Sequence, residues 1–416
     1  MGSIGPVSPF APKSPPKLAA VDGVSFATAE AGIKEQGRRD LLLAVFEPGT
    51  IVAGTFTKSK TRSAAVEWCA EQLKHGQARA LVVNSGNANA FTGKRGAEAV
   101  RLTAEAAAIA VGCAPEEVFI SSTGVIGEPL DTTSFAHLLS NLAKQTKPDG
   151  WQDAAAAIMT TDTFPKLATN QLTEIGDGSS QLSGIAKGAG MIAPDMATML
   201  SYLVTDLAIA HDDLQKLVSA TVDKTYNCIT VDSDTSTSDT VLVFATGKAK
   251  DRGNPTVSAA NQRTFELFAS SLQNTMHDLA QQIVRDGEGI TKHVTIKIEG
   301  AENDQAARRI GFAIANSPLV KTAIAGEDPN WGRVVMAVGK SGEAADRDKL
   351  GIWFGPHPMA EAGERSPLHD ETTAAKYMKG AELEIRVDIG VGLGTATVWT
   401  CDLTHGYISI NADYRS

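Results

Sequence analysis

Lys187-Gly188-Ala189-Gly190-Met191-Ile192-Ala193-Pro194-Asp195-Met196-Ala197-Thr198-Met199-Leu200 closes a Gly/Ser-rich passage that begins at Gly176. It leads directly into Ser201–Leu207, which reads as a strand. A hydroxyl such as that of Thr198 is a poor nucleophile at neutral pH and needs a base held against it. The nearest base a threonine can have is its own α-amine, whose ordinary pKa of about 7.7–8.0 suits proton exchange at working pH. Exposing that amine requires breaking the peptide bond before the threonine. A chain can do this itself when the hydroxyl attacks the preceding carbonyl and the resulting ester hydrolyses. Such an attack needs a small preceding residue and a loop that yields to strain. Ala197, Pro194 and the glycines at 184, 188 and 190 meet those conditions. On composition alone, a Gly-rich loop ending in Ala-Thr is equally an ordinary loop.

Outward from this stretch, strand-like and helix-like segments alternate. Leu41–Phe46 and Ile51–Phe56 read as neighbouring strands around the turn Glu47-Pro48-Gly49, and Ala80–Asn84 and Val118–Ser121 as short buried strands. Val100, Ala104, Ala107, Ala108 and Val111 recur at helical spacing, and an alanine stripe of this kind lets a helix lie close to its support. Helices are also expected over Ser134–Gln145, Gln152–Thr160, from about Asp212, and over Gln262–Val284, with a strand at Thr240–Ala245. Beyond His293, the strands Val294–Glu299, Leu350–Phe354, Glu382–Asp388 and Thr395–Thr400, with a helix near Asp304–Asn316, suggest a smaller C-terminal α/β domain. The expected division is a tail at 1–20, a catalytic domain at 21–292, the smaller domain at 293–400, and a tail at 401–416.

Composition excludes several classes. With 38 Lys+Arg against 48 Asp+Glu, the net charge of −10 argues against nucleic acid or an anionic membrane as partner. No uncharged apolar stretch approaches the roughly 20 residues of a membrane span. The four cysteines are widely separated, with no Cys-x-x-Cys pair, and the eight histidines are scattered, so no metal site is expected. Residues 1–20 carry neither the Arg-rich pattern of a transit peptide nor an apolar secretory core, which makes an extended tail and a cytoplasmic protein the simplest expectation. Gly339-Lys340-Ser341 lacks the upstream glycine of a phosphate loop, and Gly390–Gly394 lies between two strands, where a hairpin turn is the better reading. What stands out is small residues: 38 glycines and alanine-rich segments throughout.

The stretch at 187–200 resembles the self-cleavage segment of the ornithine acetyltransferase family, the bifunctional glutamate N-acetyltransferases of arginine biosynthesis. Further family-like segments follow in matching order. They are NSGNANA at 84–90, SSTGVIG at 121–127, TTDT at 160–163, TVDSDTSTSDT at 230–240, DGEGITK at 286–292, GEDPNWGR at 326–333 and NADYRS at 411–416. The resemblance covers essentially residues 21–416 and does not account for the first twenty.

The resemblance implies an α/β fold: a layered αββα sandwich of the self-cleaving N-terminal nucleophile type, with a smaller C-terminal α/β domain. It implies cleavage between Ala197 and Thr198 into an α chain, 1–197, and a β chain, 198–416, that stay associated, two of each in a heterotetramer. Thr198 becomes the nucleophile, taking acetyl from N-acetylornithine and passing it to glutamate in a ping-pong reaction. Thr123 and Gly124 match the oxyanion-hole pair. Thr161, Lys187, Thr198, Glu288, Asn411 and Ser416 match substrate-binding positions. Lys187 suits an α-carboxylate, and Glu288 the side-chain ammonium of ornithine. Without the resemblance, Lys187 reads as a solvated loop lysine and Glu288 as part of a surface turn. No cofactor is implied; acetyl-CoA stays open as a co-substrate. The competing reading is a hydrolase of the β-aminopeptidase/D-aminopeptidase type, with water as the acceptor, and a non-cleaving, non-catalytic descendant is a third.

Overall fold

Leu41–Phe46 is apolar at every position because both of its faces are covered: successive side chains of a strand point to opposite sides, so an uninterrupted apolar run marks a strand buried between two layers. The computed structural model describes residues 6–193 and 199–412, and the chain forms two units. One comprises Pro12–Asn227 and Asp234–Ile283; the other holds the described residues up to Ala11, Cys228–Ser233, and those from Val284 onward.

In the larger unit the strands are β1 (Val24–Ala29), β2 (Leu41–Phe46), β3 (Ile51–Phe56), β4 (Ala80–Asn84), β5 (Val118–Ser122), β6 (Lys166–Gln171), β7 (Gln181–Lys187), β8 (Leu200–Thr205) and β9 (Thr240–Ala245). The helices are α1 (Ala64–Gln72), α2 (Gly93–Val111), α3 (Leu139–Ala143), α4 (Trp151–Ala157), α5 (His211–Lys224) and α6 (Gln262–Val284). One sheet has the order β1-β2-β4-β5 and the other β3-β9-β8-β7-β6. The two strands expected as neighbours therefore part company: after the turn at Glu47–Gly49, β2 pairs with β1 and β4 while β3 pairs with β9. Turn chemistry fixes the reversal but not the sheet that the next strand joins.

The two sheets face each other across one core. Leu42, Ala44 and Phe46 of β2, Leu81 and Val83 of β4, and Phe119 of β5 meet Leu200, Tyr202 and Val204 of β8 and Leu242 and Phe244 of β9. Phe46 and Phe244 stack with ring centroids 4.2 Å apart, and Phe119 meets Phe244 edge-on at 6.4 Å. On the outer face of the first sheet, Leu41, Leu43, Val82 and Ile120 pack with the α2 stripe Val100, Ala104, Ala107 and Ala108. On the outer face of the second, α6 lies so close that a Cβ on Gly184 would stand 3.2 Å from Leu279. The Gln215 side chain of α5 brackets the peptide of Gly54 on edge strand β3, accepting from its N–H at 3.0 Å and donating to its C=O at 2.9 Å. The layers thus run helix, sheet, sheet, helix, the layered α/β sandwich expected from the sequence. The Gly/Ser-rich passage around Gly176–Gly190 holds an unforeseen strand: β7 lies inside the sheet between β6 and β8. The helix expected over Ser134–Gln145 is instead a run of short 3-10 turns ending in α3.

The smaller unit has the strands β10 (His293–Ala301), β11 (Gly351–Phe354), β12 (His357–Glu361), β13 (Glu364–Arg365), β14 (Glu382–Asp388) and β15 (Gly394–Cys401), ordered β13-β12-β11-β14-β10-β15. Its helices are α7 (Asp304–Ala315), α8 (Pro318–Ala325), α9 (Trp331–Gly339), α10 (Glu371–Met378) and α11 (His405–Ala412). Ile296 and Ile298 of β10, Ile385 and Val387 of β14, and Ile310 and Ile314 of α7 share its core. The glycine run 390–394 joins β14 to β15, but these strands lie on either side of β10 and do not pair, so the connection crosses over β10 and is not the hairpin turn expected from the sequence.

Because Phe244 joins both sheets, Phe244→Ala is expected to lower stability by about 3–5 kcal/mol. Chemical denaturation should show this as a lower midpoint with an unchanged slope.

Candidate active site

Strand register gathers the site. Lys187, the last residue of β7, pairs with Leu200, the first of β8, and Leu200 pairs in parallel with Thr240, the first of β9; Phe56, the last of β3, also pairs with Thr240. One edge of the five-stranded sheet therefore brings together the end of β7, the start of β8 and the residues just before β9. Ala197 and Thr198 lie outside the described residues, as does Ser416. The first described residue after the junction, Met199, donates its N–H to Asp239 Oδ1 at 2.9 Å, and its C=O accepts from the Thr240 N–H at 3.1 Å.

Lys187 is only 2% exposed, so it is no solvated loop lysine. A carboxylate in the segment before β6 acts on its charge. Asp162, fully buried, accepts from Lys166 Nζ at 2.6 Å, from the Gly188 N–H at 2.6 Å and from the Thr160 N–H at 2.9 Å. Burial pushes the Asp162 carboxyl up, but the charges of Lys166 and Lys187 and the Gly188 amide outweigh it and hold the group below the usual carboxylate range. Thr161, half-buried, sits between Thr160 and Asp162, whose carboxylate takes the Thr160 N–H.

Thr123 and Gly124 follow β5. The Thr123 N–H is already spent on the Asn84 carbonyl at 3.0 Å, and Asn84 Nδ2 donates to Ser122 Oγ at 2.8 Å. What remains to offer a ligand is the Thr123 hydroxyl and the Gly124 N–H. Gly124 has φ +128°, and a Cβ there would lie 2.7–2.8 Å from the backbone of Gly86 and Asn87, so only glycine lets the loops 84–90 and 121–127 approach this closely. The Arg38 guanidinium then joins these loops to the Asp162 segment, donating to Ser85 O at 2.8 Å, Ser85 Oγ at 2.6 Å and Met159 O at 2.6 Å. Hydrogen bonds and the short stretches of chain between them thus connect the loop of Thr123 and Gly124 with the segments that carry Thr161 and Lys187.

Glu288 and Asn411 belong to the smaller unit and meet directly: Asn411 Nδ2 donates to Glu288 Oε2 at 2.6 Å and to Tyr407 O at 3.0 Å. Glu288 is only 8% exposed, so it is not part of a surface turn. Its flanking glycines are pressed against neighbours. A Cβ on Gly287 would stand 2.9 Å from Cys401 Sγ, and one on Gly289, at φ +73°, would stand 2.4 Å from the Tyr407 nitrogen.

Asp162, Lys166, Arg38 and Asp239 escape a reading of the sequence alone. Asp162 and Asp239 lie within the quoted segments 160–163 and 230–240, but nothing in their spacing marks them as buried. Burial pushes the Cys69 thiol up to about 12 and the Cys401 thiol to about 11, which makes both inert as nucleophiles. Among the described residues no group of three or more His, Cys, Asp or Glu side chains is placed to hold a metal ion.

The structure is a layered α/β sandwich with a buried lysine, a threonine hydroxyl and the Gly124 N–H near its strand ends. Residues 25–416 match the model of the ArgJ family. The arginine biosynthesis bifunctional protein ArgJ of Mesorhizobium japonicum is 59% identical over 410 residues, covering 99% of both chains. That of Rhizobium meliloti is 59% identical over 412 residues, covering 99% of this chain and all of that one. A crystal structure of the Bacillus halodurans ArgJ protein is 42% identical, covering 52% of this chain and 99% of that one, with a TM-score of 0.49. The chain belongs to the ArgJ family and is an acetyltransferase of arginine biosynthesis.

Asp162→Asn would leave Lys166 buried beside a neutral partner, at an expected cost of about 3–5 kcal/mol. Because the folded-state pKa of Asp162 is depressed, its contribution is full above the unfolded carboxyl value of about 3.9 and is lost as pH falls through the folded value. Thermal melts from pH 7 downward should therefore show the gap between variant and wild type constant to about pH 4–5 and narrowing below.

Proposed function

We propose that the chain cleaves itself between Ala197 and Thr198, and that the freed threonine carries acetyl from N2-acetyl-L-ornithine to L-glutamate. The observation that carries this reading is the buried Lys187, paired in register with Leu200 two residues beyond Thr198. A buried ammonium beside the start of a central strand has the charge and the hydrogen-bond donors that suit an α-amino-acid carboxylate.

In the first half-reaction the Thr198 hydroxyl gives its proton to the α-amine and attacks the acetyl carbonyl. The oxyanion that forms is met by the Thr123 hydroxyl and the Gly124 N–H. Collapse expels ornithine, whose departing nitrogen takes the proton from the α-ammonium, and leaves an acetyl ester on Thr198. In the second half-reaction the glutamate amine attacks that ester, and the proton returns to the threonine oxygen. Lys187 and Thr161 hold the substrate α-carboxylate. Glu288, oriented by Asn411, takes the ornithine side-chain ammonium, and Ser416 joins them as a substrate contact. The protein works in the cytoplasm, as two α and two β fragments that stay associated. Synthesis of N-acetylglutamate from acetyl-CoA is the second activity to be assayed, and it follows the bifunctional names of the relatives.

Incubation with N-acetylornithine and glutamate is expected to give equimolar ornithine and N-acetylglutamate. Ornithine released equally fast without glutamate would identify a hydrolase instead. Mass spectrometry should find two fragments meeting at 197/198; a single intact 43.6 kDa species would refute self-processing. Thr198→Ala is expected to abolish both cleavage and transfer. Gly124→Ala, which drives a Cβ into the Gly86–Asn87 backbone, is expected to lower kcat for transfer by about 10²–10³, with a smaller change in KM, in steady-state assays.

A further inference from the structure

The segment TVDSDTSTSDT at 230–240 begins with residues that the reaction above leaves unused. That first part, through Ser233, belongs to the smaller unit, together with Glu288 and α11. The Thr230 N–H donates to Trp399 O of β15 at 3.0 Å, and the Thr230 hydroxyl donates to Asn316 Oδ1 at 2.7 Å. Val231 is buried, and a Cβ on Gly287 would stand 3.4 Å from its side chain. Asp232 is therefore carried on a segment that is fixed to the sheet and laid against the loop bearing Glu288. Its Oδ2 accepts from the Tyr407 hydroxyl at 3.1 Å.

Tyr407 lies in the first turn of α11, and none of the eight residues of that helix is buried. A short helix usually owes its stability to an apolar face buried against the rest of the protein, and α11 lacks one. Polar bonds hold it instead. The Thr404 hydroxyl donates to Gly289 O at 2.7 Å and accepts the Gly406 N–H at 3.0 Å, which ties the start of the helix to the Glu288 loop. One turn further on, Asn411 Nδ2 donates to both Glu288 Oε2 and Tyr407 O. An amide nitrogen has two hydrogens, and both are spent here, so the Asn411 amide has one orientation. The carbonyl of Tyr407 sets that orientation, and the hydroxyl of the same residue reaches back to Asp232.

We propose that Asp232 and Tyr407 are positioning residues for the acetylornithine half-reaction. Their hydrogen bond seats α11 on the 286–292 loop, so that Asn411 holds the Glu288 carboxylate in place for the side-chain ammonium of the donor. This rests on the role given to Glu288 above. The contacts run from Asp232 to Tyr407, to Asn411 and to Glu288, each by one hydrogen bond. Glutamate, the acceptor, has no ammonium at the end of its side chain. The second half-reaction therefore makes no use of this arrangement.

In a ping-pong reaction, kcat/KM for each substrate reports its own half-reaction alone. Tyr407→Phe removes the hydroxyl and leaves the ring and the backbone carbonyl. It is expected to lower kcat/KM for N-acetylornithine about tenfold, the loss of one hydrogen bond to a charged group, and to leave kcat/KM for glutamate unchanged. Asp232→Ala is expected to show the same pattern. The double variant should be no worse than either single one, because the two residues act through one bond. Equal losses for both substrates, wild-type values for both, or additive losses in the double variant overturn the proposal. Glu288→Gln in the same assay separates this inference from the reading beneath it. If that variant keeps the wild-type kcat/KM for N-acetylornithine, the role given to Glu288 fails and this inference falls with it. If it lowers that value while Tyr407→Phe does not, only this inference fails.

Discussion

One buried carboxylate governs the site. Asp162 takes an ammonium hydrogen bond from Lys166, backbone bonds from Thr160 and Gly188, and the nearby charge of Lys187, all out of contact with water. Stripping water from one anion and two cations is expensive, and apolar side chains of the same volume would hold the sheet at least as firmly. What an apolar cluster could not do is aim a lysine. By fixing the Gly188 amide, Asp162 sets where β7 stops and therefore where Lys187 stands. By fixing the Thr160 amide it also sets the approach of the 160–163 segment. Arg38 extends the same constraint to Ser85 and, through it, to the loops that carry Thr123 and Gly124.

Small residues let these parts come together. Gly124 brings two loops into backbone contact, Gly184 lets α6 settle on β7, and the alanines of α2 let it lie against β4 and β5. The excess of glycine and alanine in the composition is thus a packing requirement of a sandwich whose loops and helices approach its strands closely. Larger side chains at these points would push the donors away from the positions where they can be used.

Much of this was legible in the sequence. Continuous apolar runs identified β2, β3, β4 and β9, and the long amphipathic period of α6 gave its bounds as they stand. The motif segments named Thr123, Gly124, Thr161, Lys187, Glu288 and Asn411. Other features were not readable, each for a physical reason. β7 has Ser183 and Gly184 at its centre, the glycine where α6 crowds it, and Ile185 is its single representative of the β-branched residues that usually betray a strand. The divergence of β2 and β3 depends on pairing with residues nearly 200 positions away, which local periodicity does not encode. Lys166 and Asp162 look like surface charges in sequence, because only their mutual pairing makes burial tolerable.

That divergence has a temporal side. β3 has its edge covered by β9, Ile51 pairing with Ala245, so the five-stranded sheet cannot be completed until the chain beyond residue 245 is available. Closing so long a loop is slow, and it leaves β3 exposed while the first sheet, built from residues 24–122, is already able to form. Strand β8 then enters with partners on both edges, the last place from which a strand is easily withdrawn. A break in the chain just ahead of it would leave the assembled sheet intact. Reassembly after full denaturation, however, would become an encounter between two molecules instead of the folding of one. The durability of such a protein would be set by how slowly it unfolds, not by how readily it returns.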